Sequence, residues 1–289
     1  MQRVVVCIPA RFGSQRLPGK PLRLLDGSPM ISHVVRAARG ASLASEVLVA
    51  TDHDEIAHAA RSAGARAVMT PSALPSGTDR VHDAIERSGV DADIVVNVQG
   101  DEPLLHPSAI DLAAQLLLQC PSAQMSTLSA PMAAAALLDP TKVKVVCRDA
   151  PSCCGGASGG ADRARCQERP CRHALFFSRA PIGVDRSALE ALVRPRGAAA
   201  DPPPAAAAPA AAACRLHLGV YGFRRDALRR FVGLPPSPLE AIEKLEQMRA
   251  LEAAMPIVVG ELPFVPGGGV DTEEDLQSAQ EALLARRRK

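Results

Sequence analysis

The chain has 289 residues, 47% of them hydrophobic, and its 33 Lys+Arg against 31 Asp+Glu give a formal net charge of +2. This is ample material for a core, and the near-balance of charge excludes the broad basic footprint of a nucleic-acid binder, so any anion site must come from local clustering. No apolar stretch approaches the ~20 residues of a membrane span, and the chain opens on a strand rather than an export signal, so a soluble cytoplasmic protein without membrane insertion is expected.

Val4-Val5-Val6-Cys7-Ile8 has the continuous β-branched character of a buried parallel strand, and ligands of open α/β sheets sit beyond such a strand's carboxyl end. There the chain runs Pro9-Ala10-Arg11-Phe12-Gly13-Ser14-Gln15-Arg16-Leu17-Pro18-Gly19-Lys20-Pro21-Leu22. Gly13 and Gly19 let backbone amides approach an anion, while Arg11, Arg16 and Lys20 neutralise phosphate charge. The spacing is not that of a Walker loop, yet three cations, two glycines and two prolines after a first strand predict a triphosphate grip rather than a solvated turn.

Pro29, after Ser28, opens a helix over Met30 to Arg39, and Glu46 to Ala50 is the next strand. Asp52 is expected to cap a helix from Glu55 to Ala63, which Gly64 stops. A short strand over Ala65 to Met69, a helix near Asp79 to Arg87 and a strand over Ile94 to Val98 continue the alternation. This βαβ series argues for a parallel sheet wrapped by helices.

The last of those strands runs into Asn97-Val98-Gln99-Gly100-Asp101-Glu102-Pro103. A carboxylate at a strand end, after Gly100, points into the same crevice as the basic loop and can hold a hard cation through oxygen, as a Mg-nucleotide requires. Asn97 and Gln99 would be costly in an apolar strand without partners, and base or ribose recognition would supply them. A metal also wants a second carboxylate. Asp271, after Gly267-Gly268-Gly269, is the candidate, with a helix N-cap as its alternative role.

Beyond Pro107 the pattern is mixed: a helix to Gln119, strands over Met125 to Pro131, Lys142 to Cys147 and His173 to Phe177, then a strand over Arg215 to Phe223, a helix over Leu239 to Ala253, a strand over Ile257 to Glu261 and a closing helix from Thr272, where Thr272-x-x-Asp275 is a capping signal. The basic tail Arg286 to Lys289 reads as the end of that helix. Two low-complexity tracts, about 150–172 and 196–213, read as surface insertions in a single domain spanning 1–289. Of the eight cysteines, Cys7, Cys147 and Cys214 lie in strand-like runs and are expected to be reduced. Cys153, Cys154, Cys166 and Cys171 lack the paired spacing of a zinc site.

These segments carry a resemblance. The loop motifs above, with Ala50-Thr51-Asp52, Ser76-Gly77-Thr78-Asp79-Arg80, Phe177-Ser178-Arg179, His217-Leu218-Gly219, Pro238-Leu239-Glu240, Leu245-Glu246-Gln247 and Gly269-Val270-Asp271-Thr272, closely resemble in order and spacing the 3-deoxy-manno-octulosonate (Kdo) cytidylyltransferases, or CMP-Kdo synthetases. The resemblance implies an α/β, Rossmann-like nucleotidyltransferase fold, with a mainly parallel central sheet flanked by helices and a smaller mixed sheet for dimerisation and sugar binding. It further implies a homodimer, Mg2+ dependence, and the conversion of CTP and Kdo to CMP-Kdo and pyrophosphate for lipopolysaccharide or other Kdo-containing polysaccharide.

Residue by residue, the resemblance implies that Arg11, Arg16 and Lys20 hold the triphosphate. Pro9, Ala10, Ser76, Gly77, Thr78, Arg80, Gln99 and Gly100 would face the nucleotide, and Asp101 and Asp271 would carry Mg2+. Lys20, Arg16 and Asp101 are then the catalytic groups, and Arg179, His217, Tyr221, Glu240 and Gln247 line the sugar-acid site. Read from its residues alone, His217 is either a sugar contact or a satisfied core histidine. One departure stands out: Gly183-Val184 replaces the aromatic residue usual in bacterial members, and the chain has no Trp. Two rival readings are a CMP-sialate or other sugar nucleotidyltransferase, and an inactive nucleotide-binding homologue. Gly19-Lys20-Pro21 paired with Gln99-Gly100-Asp101-Glu102-Pro103 argues against the first, and intact Lys20, Asp101 and Asp271 argue against the second.

Overall fold

The computed structural model describes residues 2–13, 16–149, 172–193 and 213–287. In chain order the first half contains β1 (Val4–Ala10), the short strands β2 (Leu24–Leu25) and β3 (Ser28–Pro29), α1 (Met30–Arg39), β4 (Ala44–Thr51), α2 (Asp54–Ser62), β5 (Arg66–Met69), α3 (Gly77–Ser88), β6 (Ile94–Asn97) and α4 (Pro107–Gln119). The second half adds β7 (Met125–Ala130), β8 (Lys144–Asp149), β9 (Arg172–Ser178), α5 (Arg186–Val193), β10 (Cys214–Arg224), α6 (Arg225–Val232), α7 (Pro238–Glu243), α8 (Met248–Glu252), β11 (Ile257–Glu261) and α9 (Glu273–Arg287).

Strand β1 is buried on both faces, as its unbroken β-branched run requires. Val4, Val6 and Ile8 pack on one side with Ile31 and Val35 of α1, Ile56 of α2 and Ile110 of α4. Val5 and Cys7 pack on the other with Val81 and Ile85 of α3 and with Leu228 and Phe231 of α6. The elements expected before Pro107 lie within two residues of their observed ends, because each repeats its apolar residues at the period of its own structure.

The sheet departs from expectation. One nine-stranded sheet runs β5-β4-β1-β6-β10-β7-β11-β9-β8, so the mixed strands are continuous with the parallel ones rather than forming a separate smaller sheet. It is mixed overall: β1 pairs parallel with β4 and β6, β4 with β5 and β7 with β11, while the other five pairings are antiparallel. The joint is β10, eleven residues long. Its Tyr221 to Arg224 end pairs with β6, and its Cys214 to Leu216 end pairs with β8, so β10, β7, β11, β9 and β8 pair in a closed cycle. Long-range pairing of this kind has no local sequence signal.

Two helix expectations need correction. Asp52 does not cap α2: His53 is the N-cap, without a side-chain bond, and Asp52 reaches instead to the loop after β1. The helix expected over Leu239 to Ala253 is two helices, broken where Lys244 takes a left-handed φ of 54°. Packing decided this, since the break turns Leu245 and Gln247 inward as buried residues. At α9 the expected cap holds, with Asp275 N–H donating to Thr272 Oγ1 at 3.2 Å. Gly183 is explained by space: its φ is 62° and a Cβ there would meet Val146 Cγ1 at 2.6 Å, so no aromatic side chain fits. Of the cysteines among the described residues, Cys7, Cys120 and Cys214 are buried and Cys147 is half-buried. The low-complexity tracts, apart from Arg172 and Ala213 at their edges, lie outside the described residues, as do Cys153, Cys154, Cys166 and Cys171. No helix among the described residues is long and apolar enough to cross a membrane.

Lys144 is fully buried, and its ammonium donates to the carbonyls of Asp139 and Arg179, each at 2.7 Å. Burial pulls its pKa below the ordinary lysine value. The contact ties β8 to the end of β9. Lys144→Met, matched in length, leaves both carbonyls unpaired and should lower unfolding stability by about 2 kcal/mol, measured by urea denaturation; an unchanged midpoint would show that these carbonyls find water instead.

Candidate functional site

A cleft of about 500 Å³ opens at the carboxyl ends of β1 and β6, the place where open α/β sheets bind ligands. Pro9, Ala10, Arg11, Arg16, Lys20, Ser76, Gly77, Arg80, Gln99, Gly100, Asp101 and Asp271 all line it, together with Pro21, Leu74 and Pro75. The sequence-predicted nucleotide and metal residues therefore converge, Thr78 excepted. Gly100 is needed where β6 leaves the sheet, because a Cβ there would stand 2.8 Å from the Pro9 carbonyl oxygen. At the other wall Ser76 caps α3 by accepting from the Asp79 amide at 3.2 Å.

The centre of the cleft is an ammonium shared by two carboxylates. Lys20 Nζ donates to Asp101 Oδ2 at 2.7 Å and to Asp271 Oδ1 at 2.9 Å, and Arg16 Nη2 sits 3.0 Å from the same Asp271 oxygen. Burial works against the Lys20 charge, but Asp101 and then Asp271 hold its pKa above the ordinary lysine value. Beside them burial pushes the Glu102 carboxyl up to about 8, with the Asp101 and Asp271 charges adding to the effect. Glu102 is thus largely protonated at neutral pH. Among the described residues no group of three or more His, Cys, Asp or Glu is arranged to hold a metal. Two carboxylates within reach of one cation fit Mg2+ all the same, since that ion takes one or two carboxylates and completes its shell with waters and phosphates.

Behind the α3 wall of the cleft lies a polar cluster in which Thr78 and Asn97 are buried and Ser76 and Glu246 half-buried. Thr78, 2% exposed, donates to Glu246 Oε2 at 2.8 Å and accepts from Asn97 Nδ2 at 3.3 Å. Ser76 Oγ lies 2.5 Å from the other Glu246 oxygen. Burial raises the Glu246 pKa, with the two hydroxyls opposing it. Asn97 Oδ1 is buried without a hydrogen-bond partner among the described residues, so the partner that the sequence demanded is only half supplied.

The residues assigned to the sugar acid divide into two groups. His217, Tyr221 and Gln247 come together: the His217 ring packs edge-on to Phe177 at 4.8 Å and lies 5.5 Å from Tyr221, whose hydroxyl donates to Gln247 Oε1 at 3.0 Å. Gln247 Nε2 is buried and unpartnered among the described residues. Burial lowers the His217 pKa to about 3, leaving the ring neutral, and raises that of Tyr221. His217 also meets Thr127 Oγ1 at 2.9 Å, so the core-histidine role and exposure to this cluster coexist. Gln99 reaches from the cleft toward the same strand, its Cγ standing 3.7 Å from where a Gly219 Cβ would be.

Arg179 and Glu240 are held elsewhere. Arg179 is anchored on the Glu243 and Pro140 carbonyls, and its amide donates to the Glu243 carboxylate at 2.9 Å. Glu240 closes the Ser237 capping box and takes two hydrogen bonds from Arg249, at 2.9 and 2.6 Å. Sequence reasoning missed Glu246 and Glu102 as site residues. The available signal was a carboxylate set next to Gln247, and another next to Asp101.

Comparison with known proteins places the chain in a family. The cytidylyltransferase family profile matches residues 5–257. The 3-deoxy-manno-octulosonate cytidylyltransferase of Acidobacterium capsulatum is 41% identical over 287 residues, covering 99% of this chain and 98% of that protein. Its namesake from Halorhodospira halophila is 40% identical over 284 residues, covering 98% and 97%. A solved structure of CMP:2-keto-3-deoxy-manno-octonic acid synthetase complexed with CTP is similar with a TM-score of 0.78 and 34% identity, covering 99% of this chain and all of that one. With identity of this order over nearly its whole length, the chain belongs to the 3-deoxy-manno-octulosonate cytidylyltransferase family.

Proposed function

We propose that this protein is a cytidylyltransferase that joins CTP to 3-deoxy-manno-octulosonate and releases pyrophosphate. The observation that carries this reading is the Lys20 ammonium held between Asp101 and Asp271 in a cleft that Arg11 and Arg16 also line. In the reaction the anomeric hydroxyl oxygen of the sugar bonds to the α-phosphorus, the bond from that phosphorus to the bridging oxygen breaks, and the hydroxyl proton is lost. Negative charge grows on the phosphoryl oxygens and on the departing pyrophosphate, so catalysis is a matter of placing cations where that charge develops.

Arg11, Arg16 and Lys20 bind the triphosphate from the loop after β1, and its phosphates offer Lys20 the anionic partners that Asp101 and Asp271 otherwise supply. Asp101 and Asp271 would hold Mg2+, which when bound neutralises phosphate charge and lowers the proton affinity of the attacking hydroxyl. Pro9, Ala10, Gly77 and Gly100 bring backbone close to the nucleotide. Neutral His217, the Tyr221 hydroxyl and Gln247 Nε2, which has no partner among the described residues, offer donors and acceptors without charge, which suits a polyhydroxylated substrate. A homodimer belongs to the same reading, as does Mg2+ dependence.

Crossing each nucleoside triphosphate with Kdo, sialate and hexose phosphates, and measuring pyrophosphate release, tests the substrate pair. Release is expected with CTP and Kdo together; turnover of a hexose phosphate instead, or of none, would overturn it. Chelation with EDTA should abolish turnover, and Asp101→Asn should reduce kcat by about 10²-fold, the scale of losing a central electrostatic stabiliser; near-normal turnover in that variant would remove Asp101 from the metal site. Lys20→Ala should lose CTP affinity or rate without gaining use of UTP, because its partner is the phosphate chain and not the base. Circular dichroism on the same variant separates that result from unfolding.

A further inference from the structure

The loop after β1 carries Arg11 into the cleft, and a set of contacts behind the cleft holds its near end. The Phe12 amide donates to Asp52 Oδ1 at 3.0 Å, and the Phe12 ring lies flat on the His53 imidazole, centroids 4.0 Å apart and planes 10° apart. The other Asp52 oxygen faces Arg80 Nη2 at 3.4 Å, and Arg80 Nη1 donates to Thr70 Oγ1 at 2.6 Å. Arg80 is 2% exposed and lines the opposite wall of the cleft. One carboxylate at the end of β4 therefore grips both walls: the backbone of the cationic loop on one side and the guanidinium of α3 on the other. Phe12, Asp52 and His53 are all absent from the cleft lining.

We propose that Asp52, aided by the Phe12–His53 stack, is a positioning residue that fixes the spacing between the cationic loop and the Arg80 wall, and so sets nucleotide affinity from outside the cleft. The proposal rests on the reading of this cleft as the CTP site. The physical basis is pre-organisation: a loop that must be ordered at the moment of binding lowers affinity by the cost of ordering it. Asp52 holds that loop by a hydrogen bond to its backbone, so the hold does not depend on the loop's side chains. The buried guanidinium of Arg80 keeps Asp52 in place in turn. The sugar-side cluster of His217, Tyr221 and Gln247 makes no contact with this clamp, so the two substrates should respond differently when it is broken.

Steady-state kinetics with each substrate varied in turn tests this, alongside thermal unfolding. Asp52→Ala should raise the KM for CTP about tenfold, the loss of one charge-assisted hydrogen bond, while the KM for the sugar acid stays within about twofold. Asp52→Asn keeps the acceptor for the Phe12 amide and should recover most of that loss. Phe12→Leu, at a ring 42% exposed, should raise the CTP KM with little change in the unfolding midpoint. A folded Asp52→Ala with unaltered CTP KM would overturn the proposal, and so would parallel rises in both KM values. If Asp52→Ala does not fold, Asp52→Asn and Phe12→Leu decide: the proposal stands if Phe12→Leu weakens CTP alone, and falls if it weakens neither substrate or both. Wild-type protein that fails to turn over CTP would instead overturn the reading of the cleft.

Discussion

The site depends on one ammonium ion placed between carboxylates that are 81 and 251 residues away in the chain. Two carboxylates brought this close repel each other, and a third, Glu102, adds to the strain unless it keeps its proton. Lys20 offsets the first repulsion and Glu102 avoids the second, its pKa standing near 8. The geometry is held from below by a small apolar cluster in which Leu17, Leu104, Val270 and Leu276 meet. Those residues belong to the cationic loop, the turn after β6, the glycine-rich run and α9, so the packing that joins both chain ends also aligns the three charges.

The second constraint is the length of β10. Because one strand pairs with β6 at one end and β8 at the other, the parallel half of the sheet and the closed cycle of mixed strands share a backbone. Tyr221 pairs in register with Asn97 across that joint. Placing the two side by side sets the cluster of His217, Tyr221 and Gln247 against the wall formed by Asn97 and Thr78, with Gln99 near Gly219. The break at Lys244 completes the arrangement from the other direction, turning Glu246 toward Ser76 and Thr78 and Gln247 toward Tyr221. A continuous helix across that point would separate them.

The amino-acid sequence by itself determined the βαβ order of the first half, the cationic loop after β1 and the carboxylate turn after β6. In each case the signal is local: apolar period, glycine and proline positions, and charges clustered within a few residues. The meeting of Asp101 with Asp271 was inferred from the need for a second carboxylate and from the family resemblance, and their convergence on Lys20 required both chain ends to fold. Tertiary structure alone decided which partners each polar side chain meets. Glu240 looks like a binding carboxylate in sequence, but Arg249 takes it up, and Arg179 is held by Glu243 and Pro140. Asp52 looks like a helix cap, yet the Phe12 amide and Arg80 claim it. Glu246 falls within the helix expected over Leu239 to Ala253, yet its half-buried carboxylate meets two hydroxyls. The reason is the same throughout: a side chain's role follows from the partners within about 3 Å of it, and for these residues those partners lie far away along the chain.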